Sequence, residues 1–300
     1  MSRDEHQRPR EAEAPAGSLQ GAPTSDAEVE RQISRMSRRS LLWGAGAVAT
    51  VLAGRQWLIT RREEDGIPWP FRRVLEINEE LARDYFKPSR LAPVFSLQMA
   101  GMPRANGDLG LSDDFDPADW KLSVVRNDEA GSDTSSGDSS SDESSSADDI
   151  LKLTLREIRA LPRVEMVTEL KCIEGWSQVV HWTGARLSDF IARYPPPTRS
   201  GNPADVRKRP DDLPRYVSLE TPDGGYYVGL EMAGALHPQT LLCYEMNGQP
   251  LTSEHGAPLR LVIPVKYGIK NIKRIGTIRF TNSRPADYWA EQGYDWYAGH

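Results

Sequence analysis

The feature that most limits how this chain can fold is a stretch of serine and acidic residues at 127–149. It contains eight Asp or Glu residues and nine Ser residues, and no Lys or Arg. Such a composition cannot bury enough apolar surface to join a core, so it predicts a disordered insert. Strand-like runs at 120–125 and 150–155 predict that the insert is the tip of a long hairpin. The core must therefore be built by the chain on both sides of the insert.

Charge, cysteine content and hydropathy exclude several classes of protein. The formal net charge of the 300 residues is −6, and without the eight acidic residues of the insert it becomes +2. No wide excess of either sign remains, which argues against a nucleic-acid-binding protein that works through bulk charge. The two cysteines, Cys172 and Cys243, are too few for a disulfide scaffold or a four-cysteine zinc site. A single long apolar run excludes a multi-span membrane protein.

The N-terminal region has the pattern of an export signal. Residues 1–34 are polar and lack apolar periodicity, which predicts a disordered tail. Two adjacent arginines, Arg38 and Arg39, then precede an uncharged run through Gly54 that is rich in Ala, Gly, Val and Leu. This pattern is typical of signals that direct folded proteins through the twin-arginine translocase. We therefore predict a twin-arginine signal or membrane anchor at 35–62, and the alternative is the basic end of a buried core helix.

The sequence leaves open whether this signal is removed. Ala47-Val48-Ala49 is a candidate cleavage site, but apolar residues continue to Ile59. The uncharged stretch 40–54 has 15 residues, fewer than the roughly 20 needed to span a bilayer. A retained anchor that begins at Leu41 would require Arg55 to reach the far interface. The expected location is the periplasm or the outer face of the cytoplasmic membrane, with or without an anchor.

The rest of the chain predicts an α+β fold with mixed sheets and short helices. Segment 63–119 is expected to contain an amphipathic helix followed by an extended lead-in. In the main domain, 120–300, strand and helix signals do not alternate as they do in βαβ units. The apolar positions of the amphipathic helix are Val74, Leu75, Ile77, Leu81 and Tyr85. Further helices are predicted at 158–161, 187–194 and 231–236, and further strands at 164–170, 216–220, 226–230, 241–245, 259–263 and 274–281.

One stretch with chemical potential is Lys171–Ser177, which reads Lys-Cys-Ile-Glu-Gly-Trp-Ser. Cys172 leaves a predicted strand for a turn that contains Gly175, which would present its sulfur to a cavity. A thiolate is a soft donor that suits a redox transition metal, although one cysteine cannot hold a metal alone. The alternatives are a buried apolar cysteine, a disulfide with Cys243 and a nucleophile with His181 as its base.

A second stretch combines cations with glycines. Glycine allows close approach of the backbone, and Arg with Lys can bind a phosphate through charge-assisted hydrogen bonds. The alternatives are a solvated charged face and a nucleic-acid site, the latter weakened by the lack of an aromatic ladder. The cations are Arg260, Lys266, Lys270, Lys273 and Arg274, and the glycines are Gly256 and Gly268.

Five motifs in a fixed order resemble a known family. They are Cys172-Ile-Glu-Gly-Trp-Ser, Trp182-Thr-Gly before a helix, Leu236-His-Pro-Gln-Thr-Leu-Leu, His255-Gly-Ala-Pro-Leu-Arg and Lys266-Tyr-Gly-Ile-Lys-Asn-Ile-Lys. Together they are similar to the sulfite-oxidase-type molybdopterin-dependent oxidoreductases, and within that family to the periplasmic protein-methionine-sulfoxide reductases. The resemblance covers roughly 120–280, interrupted by the insert.

The resemblance implies a molybdenum-molybdopterin cofactor and a role for each matching residue. Cys172 would be the only protein ligand of the metal, and Arg260 would bind the pterin phosphate. Asn106 is included because Arg104-Ala-Asn-Gly107 would replace a family segment that the chain lacks. The implied catalytic residues are Cys172, Glu174 and Trp176, and the implied cofactor-binding residues are Cys172, Thr221, His255, Arg260, Lys270, Asn271, Ile272, Lys273 and Asn106.

Two departures from the family bear on the substrate. The reductases have Asn at the position of His255, whereas sulfite oxidases have His. Sulfite oxidases, however, follow their cysteine with basic residues that bind anionic sulfite, and this chain has Glu174 and Trp176 there. An acidic residue near the metal would repel sulfite and tolerate a neutral sulfoxide.

The expected function is that of an exported molybdopterin-dependent oxidoreductase that transfers an oxygen atom at sulfur, reducing a small or protein-bound sulfoxide. The chain has no haem or flavin motif of its own. The resemblance therefore implies electrons from a membrane haem or quinone-linked electron-transfer protein. The alternatives are oxidation of a small sulfur compound and a metal-free, non-catalytic binding module.

Overall fold

The computed structural model describes residues 26–64, 67–87, 89–112, 115–126 and 150–300. It divides into two compact units, 1–60 and 61–300. In the first unit the described residues form one helix, α1 (Asp26–Ile59), which contains both the paired arginines and the uncharged run. In the described part of the chain no helix, α1 included, is both long enough and apolar enough to cross a membrane.

The second unit contains short helices and many strands. The helices are α2 (Trp69–Tyr85), α3 (Leu155–Arg159), α4 (Leu187–Arg193), α5 (Met232–Ala235) and α6 (Tyr288–Glu291). The strands are β1 (Glu63–Glu64), β2 (Ile67–Pro68), β3 (Leu122–Val125), β4 (Ile150–Leu153), β5 (Arg163–Lys171), β6 (Ser177–Arg186), β7 (Tyr216–Glu220), β8 (Tyr227–Glu231), β9 (Leu241–Met246), β10 (Gln249–Pro250), β11 (Arg260–Val262) and β12 (Thr277–Thr281).

Two five-stranded sheets form the frame of this unit. The first has the order β10-β9-β6-β5, with β11 also paired to β9. The second has the order β4-β3-β12-β7-β8. The pairing of β12 with β3 is parallel, and the other pairings in the two sheets are antiparallel. This mixture of sheets and short helices confirms the predicted α+β fold.

The core joins the two sheets. The larger apolar cluster contains residues from both, such as Leu122 on β3 and Leu242 on β9. A smaller cluster lies on the other face of β9 and contains Leu241 and Cys243. Successive side chains of a strand point to opposite faces, so a strand that is apolar throughout is buried on both sides. β9 is therefore the central strand that supports the residues opposite it on β11.

Local sequence signals account for several element boundaries. Thr154 and Glu157 form a capping box at the start of α3, where the Thr154 amide donates to Glu157 Oε2 at 2.7 Å, so the helix begins at Leu155 and not at 158 as predicted. β3 and β4 pair from Leu122 opposite Leu153 to Val125 opposite Ile150, which confirms the hairpin on either side of the predicted insert. The insert at 127–149 and the first 25 residues of the tail lie outside the described residues.

The structure also differs from the sequence predictions at other elements. Residues 26–34, predicted as part of a disordered tail, belong to α1, which begins at Asp26. The ten-residue strand β6 was not predicted, since it lacks regular alternation and contains Gly184. The Trp182-Thr-Gly motif accordingly lies within β6, and helix α4 begins only at Leu187.

Candidate active site

Cys172 lies in the five-residue turn between β5 and β6. The last strand pair is Lys171 opposite Ser177, so residues 172–176 form the connection. The Cys172 amide donates to the Trp176 carbonyl at 2.8 Å, and the Gly175 amide donates to the Cys172 carbonyl at 3.1 Å. Gly175 has a φ of +90°, which an L side chain rarely adopts. The turn therefore holds the thiol in a fixed position at the end of the sheet.

Three polar side chains surround the Cys172 thiol. Asn106 Nδ2 lies 3.9 Å from Cys172 Sγ and 3.4 Å from Glu174 Oε2. The Trp176 indole donates to the same Glu174 oxygen at 3.0 Å. Partial burial, with a smaller contribution from the Glu174 carboxylate, raises the pKa of the Cys172 thiol. A thiolate at this position would therefore need a positive partner such as a metal ion.

The thiol opens into a cleft of about 960 Å³, a volume that includes its open mouth. The cleft brings together eight of the eleven residues predicted for the site. They are Cys172, Glu174, Trp176, His255, Arg260, Asn271, Lys273 and Asn106.

Arg260 supplies a buried positive charge to the cleft. Its guanidinium donates to the His255 carbonyl at 3.2 Å and to the Asn271 carbonyl at 3.1 Å. Among the described residues it forms no ion pair, and its Nε has no hydrogen-bond partner. Burial lowers the pKa of Arg260 to about 10. A buried cation without a carboxylate is costly, so its presence here indicates an anionic ligand.

Trp182, the first residue of the Trp182-Thr-Gly motif, packs against Arg260. The Trp182 ring is buried, and the Arg260 guanidinium lies 5.0 Å from its centroid. The β6–β9 ladder shifts register between Thr183 and Gly184. A Cβ at Gly184 would lie only 2.2 Å from the Leu242 carbonyl oxygen, so glycine is required there.

His255 and Lys273 hold the segment 103–107 across the cleft. His255 Nδ1 lies 2.7 Å from the Thr252 hydroxyl, and His255 Nε2 lies 3.3 Å from the Pro103 carbonyl. Lys273 Nζ donates to the carbonyls of Asn106 and Gly107 at 2.8 and 2.9 Å. Burial lowers the pKa of Lys273 to about 8 and also lowers the pKa of His255, so the imidazole is neutral near pH 7. The arrangement places Asn106 beside Cys172.

Asn271 contributes backbone rather than side-chain chemistry to the cleft. Its Oδ1 accepts from the Ile263 amide at 2.8 Å, and its Nδ2 donates to the Tyr267 carbonyl at 3.0 Å. With its side chain engaged in these two bonds, Asn271 fixes the loop that turns its own carbonyl toward Arg260.

Three predicted residues do not line the cleft. Thr221 lies in the β7–β8 connection, where its hydroxyl donates to Asp223 at 2.7 Å and accepts from the Tyr226 amide at 3.0 Å. Lys270 is buried against Asp287, with which it forms an ion pair. Ile272 is a fully buried core residue. The first two side chains are occupied by partners within the chain, so the structure gives them no place in the cleft.

Sequence reasoning missed four aromatic and glycine residues of the cleft wall. Tyr226 is buried, and its hydroxyl donates to the Ile269 carbonyl at 2.5 Å. Trp289 and Tyr294, near the C-terminal end of the chain, also line the cleft, as does Gly268. The three aromatic residues lie outside the five motifs, so no spacing pattern pointed to them. Gly268 was noted only as a spacer between cations.

The residues present fit a molybdopterin cofactor. In the described part of the chain no group of three or more His, Cys, Asp or Glu side chains is arranged to hold a metal ion. A metal at Cys172 would therefore need further donors from the cofactor itself. The buried Arg260 guanidinium and the Lys273 ammonium, whose residues both line the cleft, provide the positive charge expected for binding a phosphate.

Comparison with known proteins agrees with this geometry. The family described as oxidoreductase molybdopterin binding domain matches residues 144–289. An Azospira oryzae protein, whose name assigns it provisionally as a protein-methionine-sulfoxide reductase subunit, is 31% identical over 214 residues, which are 71% of this chain and 70% of that protein. The protein-methionine-sulfoxide reductase catalytic subunit of Xanthomonas campestris is 39% identical over 157 residues, which are 51% of this chain and 46% of that protein.

The solved structure of the sulfane dehydrogenase SoxCD from Paracoccus pantotrophus matches with a TM-score of 0.41 and 16% identity, over 57% of this chain and 40% of that chain. The match to the Xanthomonas protein spans less than half of that protein's length. The match to the Azospira protein covers more than two thirds of both chains. With Cys172, the buried Arg260 and residues of three of the five motifs in one cleft, this chain belongs to the sulfite-oxidase-type molybdopterin-dependent oxidoreductases.

Proposed function

We propose that this protein is the catalytic subunit of an exported methionine-sulfoxide reductase. In the reaction, a sulfoxide, two electrons and two protons give a sulfide and water. The proposal is supported by the names of the Azospira and Xanthomonas relatives, both of which refer to protein-methionine-sulfoxide reductase. The observation that carries it is that the three polar side chains beside Cys172 are neutral or acidic, and they are Asn106, Glu174 and Trp176.

These groups suit a neutral substrate. Asn106 Nδ2 and the Trp176 indole are N–H donors near Cys172, and both contact Glu174 Oε2. The Glu174 carboxylate would repel an anion such as sulfite, because like charges at close range in a partly buried site are unfavourable. A sulfoxide carries no net charge, and its oxygen can accept a hydrogen bond from Asn106.

When bound, molybdenum-molybdopterin supplies the two-electron redox chemistry that oxygen-atom transfer requires. Cys172 would bind the metal through its thiolate, and Arg260 and Lys273 would bind the pterin phosphate. Glu174 orients Asn106 and Trp176 by accepting a hydrogen bond from each. The neutral His255 orients the segment that carries Asn106. The ring of Trp289 forms an apolar part of the cleft wall.

We further propose export by the twin-arginine pathway to the periplasm or the outer face of the cytoplasmic membrane, with electrons from a membrane haem or quinone-linked protein. The Arg38-Arg39 pair before an uncharged run supports export. Both relatives are named as subunits, which supports a partner protein.

A second candidate function is oxidation of a small anionic sulfur compound at the same site. It is favoured by Arg104, which lines the cleft with its guanidinium 6.0 Å from the Trp176 ring centroid. This cation could attract an anion to the mouth, and His255 is the residue found in the sulfite oxidases that the chain resembles.

Steady-state assays distinguish reduction of a sulfoxide from oxidation of an anionic sulfur compound. Protein from a host that makes molybdopterin is tested for methionine-sulfoxide-dependent oxidation of a reduced viologen dye and for sulfite-dependent reduction of ferricyanide. Sulfoxide reductase activity that is lost in Cys172→Ser and retained in Cys243→Ser supports the first proposal. Activity only in the ferricyanide assay, weakened by Arg104→Gln, would assign the second function.

A further inference from the structure

Helix α2 is amphipathic with its apolar face turned outward. Arg72 and Glu79 are buried against the unit, where Arg72 donates to the Ala290 carbonyl at 2.9 Å and Arg284 pairs with Glu79 at 2.8 Å. The outward apolar residues follow i, i+3, i+7 and i+11 spacing, which places them on one face. They are Val74, Ile77, Leu81 and Tyr85, with 54%, 46%, 63% and 68% of their surfaces exposed.

The apolar surface continues along the chain after α2. Val94 bridges to Thr168 on β5, and the Gly101 amide donates to the Val179 carbonyl at 2.9 Å. These backbone contacts fix the segment on the outside of the sheet. Its large apolar side chains are each more than half exposed, and they are Leu91, Val94, Leu97, Met99 and Met102.

Positive charge accompanies this surface. The stretch 85–107 contains Lys87, Arg90 and Arg104 but no Asp or Glu. The Arg90 guanidinium lies 4.1 Å from the Tyr85 ring centroid, so a cation and an aromatic ring are presented side by side. Lys171 adds a further cation in the adjoining groove, although Glu169 lies 3.9 Å from its ammonium.

The acidic residues nearby set the limit of the surface. Glu80 and Asp84 lie in the C-terminal half of α2, directly before Leu81 and Tyr85, and are exposed, so this part of the apolar stripe has acidic neighbours. The segment that follows, 86–107, contains no Asp or Glu, and Asp108 comes directly after it. We call this segment's exposed residues, together with the end of the stripe, the docking face, and it consists of Leu81, Tyr85, Lys87, Arg90, Leu91, Val94, Leu97, Met99, Met102 and Arg104.

We propose that the docking face binds the surface of a membrane that contains anionic lipid. Exposed Leu, Met and Tyr side chains interspersed with Lys and Arg are typical of protein surfaces that insert shallowly into the headgroup region. Each cation near an anionic bilayer adds a favourable electrostatic interaction, and 85–107 offers no acidic residue to oppose it. A patch of this extent on a soluble unit marks a contact site rather than ordinary surface.

The location of the docking face connects it to the cleft. Met102 immediately precedes Pro103, which is in the cleft wall, and Arg104 lines the cleft as well. Binding through this face would bring the mouth of the cleft close to the bilayer. The proposal rests on the exposed residues and their charge, and it does not depend on the substrate or on the direction of the reaction.

Vesicle flotation of the full chain tests the proposal. One set of vesicles contains phosphatidylcholine, and the other contains a mixture of phosphatidylcholine and phosphatidylglycerol. The variants are Lys87→Glu/Arg90→Glu and Leu91→Ser/Leu97→Ser/Met99→Ser. The control is Lys121→Glu/Lys152→Glu, which makes the same charge change at exposed lysines of the other sheet. Helix α1 is identical in all of them, so differences between variants report on the docking face.

We expect both docking-face variants to bind phosphatidylglycerol vesicles on the order of tenfold more weakly than the wild type, and the control to bind like the wild type. Hydrogen exchange of the wild type should slow at 86–104 when these vesicles are present. Equal flotation of all variants, or protection confined to α1, would overturn the proposal. Loss of binding to an acidic protein in the same variants, with vesicle binding unchanged, would overturn it too and assign the face to a protein partner.

Molybdenum content and sulfoxide reductase activity of the same variants should match the wild type, because none of the substituted residues lines the cleft. A wild type without molybdenum would contradict the proposed function and leave the flotation result unaffected. The two proposals can therefore fail separately.

Discussion

At the scale of single residues, Arg260 distinguishes a cofactor site from a structural core. Its guanidinium is buried at 3% exposure, and Trp182 covers one side of it. Two backbone carbonyls accept hydrogen bonds from the guanidinium, but its Nε has no hydrogen-bond partner among the described residues. A residue selected only for stability would be expected to have a carboxylate here.

Arg260→Lys tests this interpretation. Lysine keeps the charge but cannot present two parallel N–H donors, so binding of the pterin phosphate should weaken by about 1.5–3 kcal/mol, roughly 10- to 100-fold. Molybdenum per protein should fall accordingly. Arg193→Lys, an exposed arginine on α4, serves as the control. Unchanged molybdenum content in Arg260→Lys would contradict the role assigned to the parallel N–H donors of the Arg260 guanidinium.

Lys266 gives a prediction about pH. Its ammonium is buried over the Tyr297 ring and lies 3.4 Å from Glu231, yet burial outweighs these contacts and lowers its pKa to about 8. Between about pH 8 and about pH 10 the unfolded chain therefore binds more protons at this site than the folded protein. The contribution of Lys266 to the free energy of unfolding therefore rises as the pH increases from about 8 to about 10.

Urea unfolding at about pH 8 and about pH 10 should show this gain in the wild type and lack it in Lys266→Met. The expected difference between the two pH trends is about 2 kcal/mol. Lys121→Met, which removes an exposed lysine, should keep the wild-type trend. A parallel trend in the wild type and Lys266→Met would show that the Lys266 pKa is not depressed.

At the scale of elements, the sequence predicted the helices and strands that are determined by contacts between residues close in the chain. The capping box of α3 depends on two side chains three residues apart, and it is visible in the sequence because the contacts are short-range. Strand β6 was missed because its identity depends on two partner strands and on the bulge at Gly184. Tertiary pairing decides such a segment, and local propensity does not.

The residues of the candidate site also differ in whether a local sequence signal or only the fold indicates them. Cys172 and Arg260 belong to short motifs, so the sequence could point to them. Lys270 belongs to a motif too, but its partner Asp287 lies 17 residues away, and no local pattern indicates that pair. The aromatic wall residue Trp289 is likewise placed by the fold alone.

The Lys270–Asp287 pair connects two walls of the cleft. Lys270 ends the turn that carries Gly268, and Asp287 caps α6, which carries Trp289. Asp287→Asn would leave the buried ammonium without a counter-charge and should destabilise the protein by about 3–5 kcal/mol. The double variant Lys270→Met/Asp287→Asn should recover part of this loss, as chemical denaturation would show. If Asp287→Asn lowers the free energy of unfolding by less than about 1 kcal/mol, the ion pair is exposed to solvent and the interpretation is wrong.

At the scale of the whole molecule, the proposed export would deliver a folded, cofactor-loaded protein across a membrane. Arg38→Lys/Arg39→Lys keeps the charge of the signal but removes the arginine pair, and twin-arginine export should be blocked. Cell fractionation should then find the protein in the cytoplasm with its molybdenum content retained. The control Arg61→Lys/Arg62→Lys should be exported like the wild type. Equal export of both variants would contradict the proposed route.

The most direct test of the central claim is the amount of molybdenum per protein molecule, measured by elemental mass spectrometry. The protein is made in a host that synthesises molybdopterin, as wild type, Cys172→Ser and Cys243→Ser. Both cysteines are free thiols, but only Cys172 lines the cleft, while Cys243 is fully buried. We predict near-stoichiometric molybdenum in the wild type and in Cys243→Ser, and a marked loss in Cys172→Ser. Folded wild-type protein without molybdenum, or equal metal in all three proteins, would contradict the assignment of Cys172 as the metal ligand.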